Sequence, residues 1–489
     1  MRPPASLLIV GGGSAGWMTA AAVSRAFGPR LSVRLIEDPQ AIGDSGTLAP
    51  FDATLPSLSG FNASLGLDET ALIAGTGATF RLGTVFRDWS RRDRDYIHPL
   101  SEIGGTLEGV PFHHYWLRLK AAGKAPPLED FALAAVAARA GRFSRPSDDP
   151  RSVTSTMAYG LHLPVAPYVA ALRAVALRQG VEVVAGAFAE VERGAEPDTL
   201  AAVTTRDGRR FEADLFIDAT GPAADLIGRL GATHVDWSRW LPCDRIVAST
   251  VPGPLGPPLT EARAVRNGWL WRVPLATGMG SARISASAFA GGTTEGTGFT
   301  NGRRSQTWIG NCVAIGLSAA TLEPLEASGL HRVQSGVSRL LGLFPTGGPM
   351  TAGAAEYNRL MAAEADRLRD MLILHYHANA RTGEPLWDAV SQTPPPEELA
   401  HKIRMFSSRG RISLYDEETF EDAAWVSVFL GQNVIPRRYH PLADHRPLDE
   451  VRGQLERMRA VIARAAEAMP THAAALSGSP IAPALSRVS

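Results

Sequence analysis

Three glycines near the amino terminus have the spacing of a site for the phosphates of a nucleotide. Gly11, Gly13 and Gly16 satisfy the pattern G-x-G-x-x-G, and Ser14 and Ala15 fill the positions before the last glycine. Glycine permits a tight turn and a close approach of the backbone to a pyrophosphate, and a helix that begins there offers free N–H groups to the phosphates. We therefore predict that these residues bind a dinucleotide.

The elements around this turn have the order that dinucleotide binding requires. Residues 7–10 form an apolar strand, residues 14–27 an alanine-rich helix and residues 31–36 a second strand. Glu37 closes the second strand, about 20 residues beyond the glycines, where a carboxylate can accept a hydrogen bond from a ribose hydroxyl. A glycine-rich turn without a ligand is the alternative, and this context weighs against it. Residues 38–62 carry scattered glycines and prolines and are predicted to be a loop.

A second glycine turn follows a predicted hairpin. The dipeptide Asp207-Gly208, typical of tight turns, separates two predicted strands, residues 200–205 and 211–217. The segment after them ends at Gly221, where a backbone without a side chain could lie against a dinucleotide, although an ordinary strand end would look the same. No second G-x-G-x-x-G is present. We therefore expect one bound dinucleotide.

Composition narrows the classes of protein. The 489 residues carry 49 Lys plus Arg and 49 Asp plus Glu, so the formal net charge of zero argues against a nucleic-acid binder. The two cysteines, Cys243 and Cys312, lack metal-ligand spacing, and we predict no metal site. No apolar run approaches the roughly 20 residues of a spanning helix, so we expect no membrane association and a cytoplasmic location.

The sequence resembles the flavin-dependent tryptophan halogenases along nearly its whole length. The segments GGGSAGWMTA, WLWRVP and EPLEASG are similar to diagnostic segments of that family. In chain order, the matching segments are residues 11–20, 54–58, 77–83, 113–117, 269–274, 313–316, 323–329, 368–376 and 431–441. The resemblance implies an α/β fold of the two-domain FAD-binding flavoprotein type, with a substrate-side sheet and a helical carboxy-terminal region.

The resemblance also implies the domains, cofactors and partners. We predict an FAD-binding, halogenase-like module over residues 1–345, a helical region over 346–476 that covers the substrate site, and a flexible tail over 477–489. FAD reduced by a separate flavin reductase would act with O2 and a halide ion. The substrate would be a small-molecule or peptide aromatic, and a homodimer is left open.

Site residues follow from the same resemblance. The family's active-site glutamate matches Glu326, and the backbone N–H groups that bind halide in the family match Ser328 and Gly329. A helix cap is the alternative role for this segment. Gly221 and Gly316 match turns that meet FAD.

Two tryptophans of the family motif W-x-W-x-I-P are thought to separate the substrate from the flavin. The motif matches Trp269, Trp271 and Pro274. Residues two apart on a strand share a face, so both rings should lie on one side of the sheet. A role as ordinary core aromatics is the alternative, and the two roles are compatible.

The catalytic lysine of the family is replaced by Arg81, in the segment ATFRLG. In the family, halide is oxidised to hypohalous acid, which the lysine holds by a hydrogen bond or captures as a haloamine. Arginine practically never loses its proton, so a haloamine is unfavourable at Arg81, whereas a guanidinium offers about five N–H donors for a hydrogen bond. A surface or ion-paired arginine is the alternative.

Two further segments depart from the family. The glycine-rich pattern G-V-G-E-A-T, which straps the flavin, is replaced by APFDAT at residues 49–54, where Pro50 and Phe51 change the freedom of the backbone. The tyrosine pair that helps to clamp free tryptophan is missing from AAWVS at residues 423–427. We therefore expect a larger indole, a phenol or a peptide-bound aromatic as the substrate.

Three functional hypotheses result. The leading one is halogenation of an electron-rich aromatic, with Arg81 and Glu326 orienting hypohalous acid against the ring. The second is an FAD-dependent monooxygenase that transfers oxygen without halide. The third is a catalytically degenerate homologue that binds FAD or an aromatic ligand without turnover.

Overall fold

The chain is described here by a computed structural model that covers residues 3–41, 43–292 and 295–478. It forms two compact units that alternate along the sequence. The first unit comprises Met1–Ala78, Leu163–Ser249 and Ile284–Arg367, and the second comprises Thr79–His162, Thr250–Arg283 and Leu368–Ser489. The predicted domain limits at residues 345 and 476 stay predictions, and residues 479–489 of the predicted tail lie outside the described residues.

The strands are short and most lie in the amino-terminal two thirds of the chain. In order, they are β1 (Ser6–Val10), β2 (Ser32–Glu37), β3 (Phe51–Ala53), β4 (Thr79–Arg81), β5 (Gly83–Arg87), β6 (Tyr96–Pro99), β7 (Gly160–Pro164), β8 (Glu182–Ala185), β9 (Phe188–Arg193), β10 (Leu200–Thr205), β11 (Arg210–Glu212), β12 (Leu215–Asp218), β13 (His234–Asp236), β14 (Arg245–Pro252), β15 (Thr260–Val265), β16 (Gly268–Leu275), β17 (Gly278–Ser285), β18 (Thr297–Gly298), β19 (Gly302–Arg304), β20 (Trp308–Ile309), β21 (Cys312–Ala314) and β22 (Ala320–Thr321).

The helices dominate the carboxy-terminal third. In order, they are α1 (Ser14–Phe27), α2 (Ser57–Ser64), α3 (Glu69–Thr76), α4 (Phe112–Ala121), α5 (Leu133–Arg139), α6 (Val165–Arg178), α7 (Gly329–Gly342), α8 (Thr351–His377), α9 (Pro385–Gln392), α10 (Glu397–Arg409), α11 (Asp422–Gly431), α12 (Leu448–Ala468) and α13 (His472–Leu476). No helix among the described residues is long and apolar enough to cross a membrane.

A six-stranded sheet forms the centre of the first unit. Its order is β20-β21-β12-β1-β2-β8, and β1 pairs in parallel with both β2 and β12. The four apolar residues of β1 at positions 7–10 are at most 2% exposed, because a parallel strand is covered on both faces. The predicted strand–helix–strand unit is thus confirmed, and α1 has the predicted limits.

Two local predictions were wrong in part. The predicted loop at residues 38–62 contains β3 and most of α2, which forms because Leu58 and Phe61 are buried on one side of it. The predicted hairpin is shorter than expected, since its second strand is divided into β11, which pairs with β10, and β12, which pairs with β1. Asp214 explains the break: its carboxylate accepts the backbone N–H groups of Ala5 and Ser6, at 2.8 and 2.9 Å. This contact places β12 beside β1.

The second unit is built on an antiparallel-rich sheet that contains β17, β16, β15, β5 and β6 in that order. β15 pairs in parallel with β5, and Thr260 lies directly opposite Thr84. Side chains of directly paired residues point to the same face of a sheet, so these two hydroxyls are neighbours. β4 ends at Arg81, immediately before β5, and pairs with β7 so that Thr79 faces His162.

Asp218, at the end of β12, stabilises the first unit through hydrogen bonds that a substitution can test. The buried Asp218 carboxylate accepts the N–H groups of Leu226 and Ile227, both at 2.9 Å, and the hydroxyl of Thr220 at 2.7 Å. We expect Asp218→Ala to lower the free energy of unfolding by about 3 kcal/mol, because two buried N–H groups lose a charged acceptor. Urea denaturation of the purified protein measures this loss.

A matched control is Asp236→Ala, whose exposed carboxylate accepts the N–H of Ser238 at 2.7 Å. That change should cost less than about 1 kcal/mol, since water replaces the acceptor. Equal losses for the two variants would contradict the structural role given to Asp218.

Candidate functional site

The glycines of the first turn have no room for side chains. Gly11 has φ +121°, and a Cβ atom added there would lie 2.0 Å from the carbonyl oxygen of Ala219. A Cβ on Gly16 would lie 1.9 Å from the oxygen of Gly11. The turn between β1 and α1 therefore has the tight geometry that the G-x-G-x-x-G pattern predicted.

The carboxylate of Glu37 lies beside this turn. A Cβ added to Gly12 would lie 2.5 Å from the Cγ atom of Glu37, so the turn and the carboxylate are in direct contact. The indole N–H of Trp17 donates to Glu37 Oε1 at 3.2 Å, and Arg173 lies 3.8 Å from Oε2. These contacts fix the carboxylate at the end of β2, where an acceptor for a ribose hydroxyl was predicted.

A cleft of about 600 Å³ opens beside the turn. Gly221 has φ +88° and its missing side chain faces open space at the edge of this cleft. Ser45 Oγ lines the cleft and is buried without a hydrogen-bond partner among the described residues. Arg206 and Arg229 also line it. Glycine backbone, an unpaired hydroxyl and two cations fit the sugar–phosphate part of FAD.

Gly316 serves close packing between segments of the first unit. A Cβ there would lie 2.6 Å from the Cβ of Ala15 and 2.7 Å from the carbonyl oxygen of Ser45. That oxygen accepts the N–H of Leu317 at 2.9 Å. Gly316 therefore lets the segment around Ser45 lie against the start of α1, while its predicted contact with FAD stays a prediction.

The start of α1 carries an aspartate that the sequence analysis did not identify. Asp44 accepts the N–H of Ser14 at 2.6 Å, the N–H of Gly46 at 2.8 Å and the N–H of Thr47 at 2.9 Å. A carboxylate is favoured at this position by the helix dipole. The N–H of Ser14 is one of those that a G-x-G-x-x-G helix offers to phosphate, so Asp44 would compete with a phosphate charge there.

The segment that matches the family's halide site has a strained backbone. Glu326 and Ala327 have φ values of +61° and +59°, a left-handed conformation that is uncommon outside glycine. Ser328 follows and precedes α7, yet its hydroxyl makes no capping hydrogen bond. Ser328 Oγ is buried without a partner among the described residues. The alternative role as a helix cap therefore does not describe this side chain.

A buried carboxylate and a buried guanidinium border the same helix start. Asp52 Oδ2 accepts the N–H of Leu330 at 3.3 Å, and a Cβ on Gly329 would lie 2.5 Å from this oxygen, so only glycine fits. Arg332 Nε donates to the carbonyl oxygen of Ser328 at 3.3 Å. Burial lowers the pKa of Arg332 to about 10, and the nearby charge of Asp52 opposes that shift. A cation next to the halide-matching turn favours an anion there.

Arg81 is buried in the second unit, with only 1% of its surface exposed. Its Nε donates to the hydroxyl of Thr260 at 3.0 Å, and its Nη2 donates to the hydroxyl of Thr84 at 2.9 Å. The alternative of a surface arginine is thus excluded. Burial of a charge is tolerable only with such hydrogen bonds, so the position is built to hold a cation.

The two tryptophans of β16 share a buried face, as predicted. Trp269 is 0% and Trp271 is 2% exposed, and their ring centroids are 6.5 Å apart. Trp269 also packs against Trp89, with ring centroids 5.9 Å apart. Trp89 in turn contacts Tyr376 and Trp387, so these rings form an aromatic core. The carbonyl oxygen of Pro274 accepts the hydroxyl of Thr79 at 2.7 Å. A core role is therefore present, and the role in separating substrate from flavin stays a prediction.

The predicted residues thus fall into two groups. Glu326, Ser328 and Gly329 lie in the first unit with the glycine turn, and Arg81 lies in the second unit with the tryptophans and Pro274. That both groups act on one substrate stays a prediction. No group of three or more His, Cys, Asp or Glu side chains among the described residues could hold a metal ion.

Asp44 gives a test of the nucleotide site that does not depend on turnover. We expect Asp44→Asn to bind oxidised FAD at least about fivefold more tightly, because the amide keeps an acceptor for Ser14 and removes about 1 kcal/mol of repulsion from the pyrophosphate. Quenching of flavin fluorescence measures the dissociation constant. Asp38→Asn is the control, since Asp38 lines the same cleft and its carboxylate accepts the N–H of Gln40, outside α1, at 2.9 Å. Equal affinities for the two variants would contradict this interpretation.

Comparison with known proteins gives the relationship of the chain. The tryptophan halogenase family model matches residues 6–448. The chain is 29% identical to the tryptophan 6-halogenase SttH of Streptomyces toxytricini, over 90% of this chain and 91% of that protein. Two solved structures of flavin-dependent halogenases are each 35% identical to this chain. BrvH from Brevundimonas sp. BAL3 has a TM-score of 0.90 and covers 98% of this chain and 100% of its own. Xcc4156 from Xanthomonas campestris has a TM-score of 0.92 and covers 99% of this chain and 100% of its own. The chain therefore belongs to the tryptophan halogenase family, and its fold is the two-domain FAD-binding fold of flavin-dependent halogenases.

Proposed function

We propose that this protein halogenates an electron-rich aromatic other than free tryptophan, with Arg81 in the role of the family's catalytic lysine. The observation that carries the proposal is the placement of Arg81, which is buried and held at two nitrogen atoms by hydroxyl groups. A guanidinium of this kind is pre-oriented and stays protonated. It can donate a hydrogen bond to hypohalous acid but cannot form a haloamine.

FAD would be held by the glycine turn, Glu37 and the cleft lined by Ser45 and Gly221. Once reduced by a separate flavin reductase, the flavin with O2 supplies the oxidising power that converts halide to hypohalous acid. The chain contributes N–H groups for the phosphates and a carboxylate for the ribose. A cytoplasmic location, where reduced flavin is supplied, is part of this proposal.

Halide would bind at the start of α7, on the N–H groups of Ser328 and Gly329. Support comes from the buried hydroxyl of Ser328, which has no hydrogen-bond partner in the described part of the chain, and from Arg332, whose side chain donates to the Ser328 carbonyl oxygen. Backbone N–H groups at a left-handed turn make a small anion site. Asp52 at the same helix start would limit this site to one small anion.

The transfer step needs one proton donor and one acceptor. Arg81 would hold the oxygen atom of hypohalous acid while the aromatic carbon attacks the halogen and the oxygen–halogen bond breaks. The oxygen leaves as hydroxide hydrogen-bonded to Arg81, Glu326 would take the proton from the ring carbon, and that proton would then pass to the hydroxide to give water. The sum is replacement of one ring hydrogen by halogen, with one water released. That Glu326 and Arg81 face the same ring is part of the proposal.

The segment that replaces the family's tyrosine pair supports a substrate other than free tryptophan. Trp425 is 0% exposed, and its ring lies 3.6 Å from the ammonium of Lys402. Ser427 donates to the carbonyl oxygen of Ile97 at 3.1 Å. Both side chains are engaged within the second unit, so they offer no clamp for a free amino acid.

Lysine at position 81 should raise the activity. We expect Arg81→Lys to increase the rate of halogenation of indoles by about tenfold, equivalent to ~1.4 kcal/mol in the barrier, because lysine adds the haloamine route. Mass spectrometry of single-turnover reactions with supplied reduced FAD measures halogenated product. Arg87→Lys is the matched control, since Arg87 lies on the next strand along the chain, β5, and pairs with Glu261 at 2.7 Å.

Two outcomes would contradict the proposal. The first is no halogenated product from either the wild type or Arg81→Lys with any halide or indole. The second is a product that gains one oxygen whether or not halide is present, which would identify a monooxygenase.

A further inference from the structure

A continuous chain of hydrogen bonds runs from Arg81 through the second unit. Arg81 Nε contacts Thr260 Oγ1 at 3.0 Å, and Thr260 Oγ1 contacts His162 Nε2 at 2.9 Å. His162 Nδ1 contacts Thr79 Oγ1 at 3.2 Å, and Thr79 Oγ1 contacts the carbonyl oxygen of Pro274 at 2.7 Å. His162 is 0% exposed, and Thr260 and Thr79 are also buried.

The two ends of this hydrogen-bond chain restrict the positions of its protons. A carbonyl can only accept, so Thr79 donates to Pro274 and must accept from His162 Nδ1, which therefore carries a proton. A guanidinium can only donate, so Thr260 accepts from Arg81, and its own proton remains available to His162 Nε2. With a neutral His162, the proton lies on Nδ1 and Thr260 donates to Nε2.

A protonated His162 is unfavourable at this position. Both of its nitrogens would then donate, and a second positive charge would lie in the same buried network as Arg81. Burial, together with the charges of Arg81 and His472, lowers the pKa of His162 well below 6.5. His472 itself anchors the neighbouring backbone, since its Nε2 accepts the N–H of Phe80 at 3.2 Å.

We infer that His162 is a positioning residue for Arg81, acting through Thr260. By accepting the hydrogen bond that the Thr260 hydroxyl donates, His162 orients a lone pair of that hydroxyl toward Arg81 Nε. Thr84, directly opposite Thr260 in the sheet, accepts from Nη2. Two fixed acceptors at two nitrogens set the plane of the guanidinium and hence the direction of its remaining donors. This role rests on the proposed function of Arg81, whereas the proton arrangement does not.

The same network connects Arg81 with the tryptophan motif of β16. Its last member, Pro274, closes the W-x-W-x-V-P segment that begins at Trp269. Each hydroxyl in this hydrogen-bond chain both accepts and donates. Loss of the Thr260 hydroxyl therefore removes the acceptor for Arg81 and the donor to His162 together. The effect of Thr260 should therefore depend on its hydroxyl rather than on its size.

The first measurement is NMR of the purified protein without turnover, with ¹⁵N-labelled histidine and arginine. His162, assigned by loss of its signal in His162→Gln, should show the Nδ1–H tautomer and no protonation between pH 6 and pH 8. The Nε–H of Arg81 should exchange slowly with water in the wild type and in Thr260→Ser. It should exchange at least about tenfold faster in Thr260→Val, which is isosteric but lacks the hydroxyl. An Nε2–H or charged His162, or equal exchange in the two variants, would overturn the inference.

The second measurement is single-turnover halogenation with supplied reduced FAD. Thr260→Val should lower the rate of product formation at least about tenfold, whereas Thr260→Ser should keep most of it, because a misplaced catalytic group costs rate rather than binding. The dissociation constant of FAD should be the same in both variants, which shows that they fold. Equal rates in the two variants would overturn the positioning role while leaving the proposed function intact. The expected NMR result without halogenation in any variant, including Arg81→Lys, would instead overturn the proposed function and leave the proton arrangement intact.

Discussion

The proposed chemistry of this protein depends on one buried cation, Arg81, and on the hydroxyl groups that accept its hydrogen bonds. Taking a guanidinium out of water costs several kcal/mol unless its N–H groups find acceptors. Arg81 finds them in Thr260 and Thr84, which are paired on adjacent strands. The register of β5 and β15 therefore decides where the guanidinium lies. The two paired threonines thus hold the side chain to which we assign the chemistry.

A second constraint concerns anions in the first unit. The segment between β2 and α2 supplies Asp44 to the start of α1 and Asp52 to the start of α7. Both helix starts attract negative charge, and both are positions where the family binds an anionic group. The family's strap pattern is altered in this same segment, at residues 49–54. This segment thus supplies Asp44 to the helix start where we predict phosphate, and Asp52 of the altered strap to the helix start where we propose halide.

Much of the fold could be predicted because local patterns decided it. The glycine spacing required the turn between β1 and α1, and the alternation in the W-x-W segment put Trp269 and Trp271 on one face. Where contacts between distant segments determine the limits of an element, the local sequence pattern did not predict them. The hairpin after residue 200 was cut short by Asp214, which reaches back to the amino terminus across 208 residues of sequence.

The same distinction applies to the candidate site. Arg81 was identified from its segment, but its partners were not, because Thr260 lies 179 residues away in sequence. His162 lies between Leu161 and Leu163 of β7, and that short apolar pattern does not distinguish it from a core residue. A hydroxyl network has no sequence periodicity, since each contact depends on strand register between distant segments. Only the assembled sheet brings the imidazole, the hydroxyls and the guanidinium together.

The most direct test of the central claim is the fate of the oxidised halogen in a variant without the cation. In single-turnover reactions with supplied reduced FAD, the ratio of halogenated aromatic to free hypohalous acid, trapped by a scavenger, would be compared between the wild type and Arg81→Leu. The account predicts that the wild type delivers halogen to the ring, whereas Arg81→Leu releases most of it to the scavenger. The same ratio in both proteins would contradict a role for Arg81 in handling hypohalous acid.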